Sequence, residues 1–284
     1  MLELIGVSYR YPGYAREVLK GLDLRIEDGE IVGLVGPNES GKSTLCLVAS
    51  GLAPASIGGT LKGEVRVDGA ALAGRRSHEL ATLVGLVFQD PKTQRSGTTG
   101  TVFEEIAMGA VNLGLPVAET VARTRSAMRA LRIEDLRDRD PQRLSSGQAQ
   151  LVAIASILAM QPRHLVLDEP TAQLDPEGTR LVRQALAELA ARGTALLVAE
   201  HKTDLLDGLC TRVIAIDGGV VALDGPVGPT LEDPALAAMG VEPPSRVRIA
   251  QALAGGGAGG GSAAAGRASA ALDAILAEER GAAS

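Results

Sequence analysis

Residues 36–43 read GPNESGKS, a glycine-rich loop that ends in Lys42 and Ser43. Glycine lets the backbone curl so that successive N–H groups face an anion, and a helix that begins just after the loop adds its positive end. In such a loop the lysine ammonium bridges the β- and γ-phosphates of a nucleotide, and the serine hydroxyl binds Mg²⁺. We therefore expect this segment, called the phosphate loop below, to bind ATP.

One residue of the phosphate loop is unusual for this chemistry. Glu39 stands where a small residue is more common, and a carboxylate near phosphates repels them. We expect its side chain to point to solvent, with only its backbone in the loop. The residues predicted to bind the nucleotide here are Gly36, Pro37, Asn38, Glu39, Ser40, Gly41, Lys42, Ser43 and Thr44, the last through the α-phosphate.

A pair of acids lies more than a hundred residues further on, in HLVLDEP at 164–170. The apolar run before them predicts a buried strand that delivers Asp168 and Glu169 to its carboxyl end. Neighbouring side chains on a strand point in different directions, so the two carboxylates can take separate roles. We expect Asp168 to hold Mg²⁺ through its water shell and Glu169 to polarise the attacking water as a general base.

A third motif, LSSGQ at 144–148, is rarer than the phosphate loop. We call it the signature segment. It is predicted to begin a helix, so that Ser145, Ser146 and Gly147 present a hydroxyl and N–H groups to an anion. The three motifs follow one another in the chain as phosphate loop, signature segment and acid pair, and this combination makes coincidence negligible. They indicate a chain that binds and hydrolyses ATP.

Strands alternate with helices along most of the chain, and this pattern predicts an α/β fold with a parallel sheet. The segments from about 92 to 160 instead favour a helical insertion, because their apolar residues recur at helical spacing. The predicted strands are 2–9, 22–26, 30–36, 63–69, 83–88, 164–168, 194–199 and 212–216. One predicted helix begins at Lys42. The others cover 101–114, 117–131, 147–160, 177–192 and 203–209.

The signature segment resembles the Leu-Ser-Gly-Gly-Gln motif of the ATP-binding-cassette (ABC) ATPases. The resemblance covers residues 2 to about 230 and implies a P-loop NTPase of ABC type: a parallel-sheet core with an antiparallel β subdomain and a helical insertion. The implied division is an ATPase domain at 1–230 with its helical subdomain at about 92–160, a C-terminal helical extension at 231–253, and a Gly/Ala-rich linker with a short amphipathic tail at 254–284.

The same resemblance assigns roles to isolated residues. Tyr11 resembles the aromatic residue that stacks on adenine, and Gln89 the glutamine that senses Mg²⁺ and the γ-phosphate. His201 resembles the switch histidine that contacts the γ-phosphate, and Asp175 the acid of a loop that crosses between two ATP sites. The resemblance therefore implies Glu169, His201 and Gln89 as catalytic residues, and a Mg²⁺ site of Ser43, Gln89 and Asp168.

In this family the signature segment binds the γ-phosphate held by a second subunit. The resemblance therefore implies a head-to-tail dimer with a second ABC ATPase, identical or similar, that encloses two ATP molecules. Ser145, Ser146, Gly147 and Gln148 would complete the partner's site. Here Ser146 replaces the usual first glycine, so we expect that site to be impaired but not abolished.

Composition excludes several other classes of protein. The formal net charge of −6 and the absence of Trp argue against a nucleic-acid partner, which favours basic and aromatic surfaces. No apolar run approaches the roughly 20 residues that a membrane span needs, and the N-terminus lacks a signal-peptide pattern. Cys46 and Cys210 are far apart in the chain and are expected to be buried, reduced side chains.

The segment after Gln89 indicates which kind of cassette this is. FQDPKTQ at 88–94 and the helix at 102–114 resemble the energy-coupling-factor importers of vitamins and transition metals. That resemblance implies a motor subunit on the cytoplasmic face of the membrane, with a transmembrane coupling protein and a substrate-binding membrane protein as partners. The alternative is a soluble ABC-type ATPase of a regulatory or repair complex that has no membrane partner.

Overall fold

Two β-sheets, eleven α-helices and three short 3₁₀ helices are found in residues 1–255, the part of the chain described by this computed structural model. The predicted linker and tail at 254–284 lie outside the described residues, apart from the last two positions of the final helix. The strands are β1 (Leu2–Arg10), β2 (Leu19–Ile26), β3 (Ile31–Val35), β4 (Thr60–Val67), β5 (Ala70–Ala71), β6 (Val84–Val87), β7 (His164–Asp168), β8 (Ala195–Ala199), β9 (Arg212–Asp217) and β10 (Val220–Pro226).

The helices fall between and after these strands. They are α1 (Lys42–Ala49), α2 (Leu52–Ala55), α3 (Ser77–Leu83), α4 (Val102–Asn112), α5 (Val117–Ala130), α6 (Ser146–Met160), α7 (Pro176–Ala191), α8 (Thr203–Asp207), α9 (Val227–Glu232), α10 (Pro234–Ala238) and α11 (Ser245–Gly255). None of those within residues 1–255 is both long and apolar enough to cross a membrane.

The first sheet is antiparallel, with strand order β2-β1-β4-β5. Leu2, Leu4, Val7 and Tyr9 of β1 are buried, as expected for a strand with one face on a core. The alternation of buried and exposed residues along β1 shifts between Leu4 and Val7. The register of β1 with β2 changes there, and Gly6 has a φ of 57°. Glycine adopts this left-handed conformation readily, which permits the bulge.

The second sheet has strand order β10-β9-β3-β8-β7-β6, and β3, β6, β7, β8 and β9 run parallel to one another. Every residue of β3, β7 and β8 is buried, which explains their continuous apolar sequences. The register pairs Ala199 with both Leu34 and Asp168. The segments that follow these three strands therefore emerge side by side at one edge of the sheet.

The predicted helical insertion is present as α4, α5 and α6, which pack on one another. Thr101 caps α4 in a capping box with Glu104. Ser145 caps α6 in the same way with Gln148. Val152, Ile154 and Ala155 of α6 are all fully buried, so this helix forms the centre of the helical region.

The α/β architecture predicted from the sequence is confirmed, with local differences. The strand predicted at 83–88 is the shorter β6, because α3 includes Leu83. The helix predicted at 203–209 ends at Asp207, just before Gly208. The strand β10, which pairs antiparallel with β9, was missed: it lies at the sheet edge, where its residues alternate only between exposed and partly buried.

Candidate nucleotide-binding and hydrolysis site

The phosphate loop connects β3 to α1, as predicted. Lys42 is buried, and its ammonium donates hydrogen bonds to the carbonyl oxygens of Gly36 (2.8 Å) and Pro37 (2.9 Å). Burial lowers the pKa of Lys42, and the nearby carboxylates of Glu169 and Asp168 oppose that shift. The side chain is thus folded over its own loop, with its charge directed at the edge of the sheet.

Three residues of the loop, Gly36, Glu39 and Gly41, have a positive φ that favours glycine. Gly36 has a φ of 151°, and a Cβ there would lie 2.1 Å from the carbonyl oxygen of Ile216, so no side chain fits. Glu39 is exposed and has a φ of 61°. A non-glycine residue in this region is strained by about 1–2 kcal/mol. Glu39 therefore costs stability without contributing a packed side chain.

Asp168 ends β7 and is buried beside the loop. Burial raises its pKa above the ordinary value, the charge of Glu169 adds to the increase, and the neighbouring Ser43 hydroxyl together with the charge of Lys42 opposes it. The buried Oδ1 of Asp168 has no hydrogen-bond partner among residues 1–255. An unpaired carboxylate oxygen next to a hydroxyl is the kind of donor set that Mg²⁺ prefers, so these residues fit the predicted metal.

The three predicted catalytic residues lie together. Glu169 Oε2 accepts a hydrogen bond from Gln89 Nε2 (2.7 Å), and Glu169 Oε1 lies 2.9 Å from His201 Nε2. The side chain of Glu169 is 14% exposed and that of His201 is 43% exposed, so the cluster opens to solvent on one side. A carboxylate held by two nitrogen-bearing side chains at an open edge can accept a proton from a water molecule.

The backbone of Glu169 contributes to this arrangement. Its φ is 47°, in the left-handed region, and its N–H donates to the carbonyl oxygen of Ala199 (2.9 Å) at the end of β8. A non-glycine residue in this conformation is enriched at functional sites, where surrounding structure holds it in place. The turn directs Glu169 toward His201, while Asp168 stays in the strand.

Tyr11 lies beside α1. Its hydroxyl is 3.1 Å from the Thr44 hydroxyl, and its ring contacts Tyr9 edge-on at a centroid distance of 5.0 Å. The partly buried ring is therefore next to the phosphate loop, where an adenine-stacking residue is expected. Its role in stacking stays a prediction.

The signature segment lies at the amino end of α6, with Ser145 and Ser146 exposed. Gln148 N–H donates to Ser145 Oγ (3.3 Å), and the Ser145 N–H donates back to Gln148 Oε1 (3.1 Å). A Cβ on Gly147 would lie 3.3 Å from the carbonyl oxygen of Gln173. No hydrogen bond between the described residues joins this segment to the phosphate loop.

Sequence reasoning missed two buried side chains next to the catalytic cluster, Glu200 and Thr171. Glu200 directly precedes His201, and one of its oxygens accepts hydrogen bonds from the backbone N–H (3.0 Å) and the hydroxyl (2.6 Å) of Thr171. Asp175, which the sequence did single out, is exposed and caps α7 through a hydrogen bond from the Gly178 N–H (2.7 Å), and its role between two ATP sites stays a prediction. The only sequence signal for Glu200 was an acid at the end of an apolar strand.

Comparison with known proteins agrees with this geometry. A family model described as ABC transporter matches residues 19–172, more than half of the chain. The chain belongs to the ABC transporter family. Its two β-sheets, helical insertion and phosphate loop are those of an ABC-type P-loop NTPase, as predicted.

Relatives with known names match along most of their length. A putative ABC transporter ATP-binding protein of Pyrococcus abyssi is 39% identical over 251 residues, covering 88% of this chain and 89% of the relative. The energy-coupling factor transporter ATP-binding protein of Methanocaldococcus jannaschii is 38% identical over 227 residues, covering 79% and 78%.

Solved structures of ABC proteins are also similar. The cbiO1 protein of Clostridium perfringens, described as part of an ABC transporter complex, has a TM-score of 0.70 at 32% identity, covering 84% of this chain and 92% of that one. A dimeric ATP-binding cassette bound to ADP and phosphate has a TM-score of 0.71 at 26% identity, covering 80% and 99%. The ABC protein described here is an ATPase and the ATP-binding subunit of a transporter.

Proposed function

We propose that this ABC protein is the ATP-hydrolysing motor of an energy-coupling-factor importer that takes up a vitamin or a transition-metal ion. The observation that carries the importer type is the Methanocaldococcus jannaschii relative, which matches about four fifths of both chains. The similarity to cbiO1 of Clostridium perfringens supports the same type. The segment after Gln89 supports it independently.

The geometry supports hydrolysis with Glu169 as the general base. A water molecule that attacks the γ-phosphate loses a proton, and the Glu169 carboxylate is the acceptor at the open side of the cluster. Gln89 and His201 hold this carboxylate by its two oxygens, at 2.7 and 2.9 Å, so that it keeps one orientation. A positioned base contributes about 10²–10⁴-fold to the rate of a reaction.

The phosphate loop supplies the positive charge that the triphosphate requires. Lys42 is directed at the edge of the sheet, where it would exchange the carbonyl oxygens of its loop for phosphate oxygens. Tyr11 would stack on the adenine. Ser43, Asp168 and Gln89 would hold Mg²⁺, which when bound neutralises charge on the phosphate oxygens.

The signature segment is proposed to act on a second subunit. Ser145, Ser146 and Gly147 form the amino end of a 15-residue helix, whose free N–H groups attract an anion. The similar cassette that forms a dimer in a post-hydrolysis state supports a sandwich of two subunits around two nucleotides. Ser146 adds a hydroxymethyl group where the family usually has hydrogen, which favours one weaker site.

The membrane partners follow from the importer type. ATP favours the closed arrangement of two ATPase subunits and so shifts its population, while hydrolysis reopens the pair. This motion would pull on a transmembrane coupling protein that contacts the helical region α4–α6 near Gln89. A third component, a small membrane protein, would capture the substrate. The ATPase would then sit peripherally on the cytoplasmic face of the membrane.

Co-expression with the genes that neighbour this one tests the proposal. The tagged ATPase should purify from detergent-solubilised membranes together with two membrane proteins. A Glu177→Arg protein, changed at an exposed site on α7, serves as a control and should retain both partners. An ATPase found only in the soluble fraction would instead favour a regulatory or repair complex.

A further inference from the structure

Glu200 is an acidic side chain buried without a cation. It is 2% exposed and forms no salt bridge with any residue among 1–255. Burial raises the pKa of its carboxyl group, and hydrogen bonds from the Thr171 hydroxyl and N–H oppose that shift. A buried charge that is held by hydrogen bonds alone costs stability, so its presence calls for a reason other than packing.

The partner of Glu200 is equally buried. Thr171 has no exposed surface, and both its N–H and its hydroxyl donate to the same carboxylate oxygen, at 3.0 and 2.6 Å. The two residues are 29 positions apart in the sequence, on the segments that follow β7 and β8. Their contact is therefore a tertiary one, which joins two loops at the catalytic edge of the sheet.

Each of these loops carries one half of the catalytic pair. Glu169 lies two residues before Thr171, and the Ala172 N–H closes the turn by donating to the Glu169 carbonyl oxygen (3.2 Å). Glu200 directly precedes His201, and its own N–H donates to Leu34 of β3 (3.1 Å). The Glu200–Thr171 contact therefore joins the Glu169 turn both to the histidine and to the strand that leads into the phosphate loop.

We infer that Glu200 is a positioning residue for hydrolysis, which acts through Thr171 to hold Glu169 at its distance from His201. Neither Glu200 nor Thr171 is assigned a contact with the reacting atoms. Their hydrogen bonds maintain the left-handed backbone of Glu169, a conformation that its own sequence does not favour. The inference rests on the roles proposed above for Glu169 and His201.

Loss of this contact should slow the chemical step and spare nucleotide binding. The phosphate loop and Tyr11 are tied to other elements and would keep their places. Displacing a catalytic group by about 1 Å can reduce turnover roughly 10²-fold. A variant that lacks only the Thr171 hydroxyl keeps the N–H bond to Glu200. We therefore expect turnover to fall by about tenfold, which is less than the roughly 10²-fold loss from full displacement.

The test uses the full chain with Thr171→Val, which keeps the shape of the side chain and removes its hydroxyl. We expect kcat for ATP hydrolysis to fall about tenfold while KM and the affinity for a fluorescent ATP analogue change less than about twofold. Thr171→Ser restores the hydroxyl and should recover most of the turnover. Thr124→Val is the matched control, because Thr124 is also fully buried and its hydroxyl donates one bond, to the Thr120 carbonyl oxygen (2.8 Å).

A double-variant cycle separates positioning from general damage. Glu200→Gln should lower kcat on its own, and combined with Thr171→Val it should be no slower than the slower single variant, because both changes break one contact. Glu200→Gln alone supplies the kcat-against-KM comparison if Thr171→Val does not fold. Parental kcat in both single variants, additive losses, or an equal loss in Thr124→Val would overturn the inference.

The same assays distinguish this inference from the proposed chemistry. If Glu169→Gln hydrolyses ATP at the parental rate, the assignment of the general base fails. If Glu169→Gln is inactive but Thr171→Val and Glu200→Gln both turn over normally, only the positioning role of Glu200 fails.

Discussion

Glu169 Oε1 lies 2.9 Å from Nε2 of His201, although the two residues come from different strands. The parallel register explains the contact, because Asp168 pairs with Ala199 and the chain turns immediately after each. Glu169 leaves β7 in a left-handed turn, and His201 follows β8 by two residues. A carboxylate and an imidazole are thereby joined at the edge that also carries the phosphate loop.

This contact leads to a prediction for Glu169→Gln. The amide keeps the shape of the side chain but is far too weak a base to accept a proton from water, so kcat should fall by about 10²-fold or more. ATP affinity should stay near the parental value, and closed dimers should accumulate with ATP in size-exclusion chromatography. Glu177→Gln, an exposed change that disrupts only the surface ion pairs with Arg180 and Arg132, should leave kcat unchanged. Equal turnover in Glu169→Gln and the parent would refute the base assignment.

Asp168→Asn is predicted to make the nucleotide-free protein more stable near neutral pH. Burial raises the pKa of Asp168, so the folded state binds its proton more tightly than the unfolded state does. The stability that this proton gives the parent is present at low pH and is lost as the pH rises through the raised pKa. The neutral asparagine avoids that loss.

Thermal unfolding of both proteins across acid to neutral pH checks this prediction. The stability of Asp168→Asn relative to the parent should be smallest at acid pH. It should grow between the ordinary and the raised pKa of Asp168 and then stay constant. The same variant should lose Mg²⁺-dependent hydrolysis, because its binding oxygen is no longer charged. A variant that is less stable than the parent at pH 7 would contradict the argument.

Glu39→Gly is predicted to relieve backbone strain with little effect on ATP binding. Glu39 has a φ of 61° and an exposed side chain, so glycine should recover about 1 kcal/mol at this position. Urea unfolding measures the gain, and the dissociation constant for a fluorescent ATP analogue should change less than about threefold. A large increase in ATP affinity would show that the carboxylate lies among the phosphates.

The contrast between predicted and unpredicted residues has a physical cause. Lys42, Asp168 and Glu169 belong to contiguous motifs whose local sequence already specifies the strand, loop and helix around them. The Glu200–Thr171 contact depends instead on which strands are neighbours in the sheet, and no periodicity within a strand encodes that order. Edge strand β10 escaped prediction for a related reason, since it has no buried face to impose alternation.

Ser146→Gly is predicted to raise ATP turnover severalfold at protein concentrations that support dimers. Ser146 is the first residue of α6 and is exposed, so its hydroxymethyl group occupies space that a partner's γ-phosphate would approach. ATP affinity of the monomer should not change, because this segment has no hydrogen bond to the phosphate loop in the described chain. Turnover that stays at the parental level in dimers would show that the serine is accommodated.

The last prediction concerns Gln94, whose amide group connects the backbone next to Gln89 to α6. Gln94 Oε1 accepts from the Phe88 N–H, and its Nε2 donates to the Ala153 carbonyl oxygen on α6, both at 3.2 Å. Each partly buried hydrogen bond contributes about 0.5–1.5 kcal/mol, so Gln94→Ala should lower the free energy of unfolding by about 1–3 kcal/mol.

Gln94 links the backbone next to Gln89 to α6, and the proposed motion involves both regions. Its loss should therefore change hydrogen exchange only near these two regions. Amide hydrogen exchange should accelerate at 88–95 and around Ala153 in the middle of α6, while the phosphate loop keeps its protection. Gln184→Ala, at an exposed position on α7 with one long 3.4 Å bond to Glu188, should cost less than about 0.5 kcal/mol and change neither segment. Exchange that rises evenly over the whole chain in Gln94→Ala would show that this residue contributes only to general stability. It would also show that Gln94 does not couple α6 to the backbone next to Gln89.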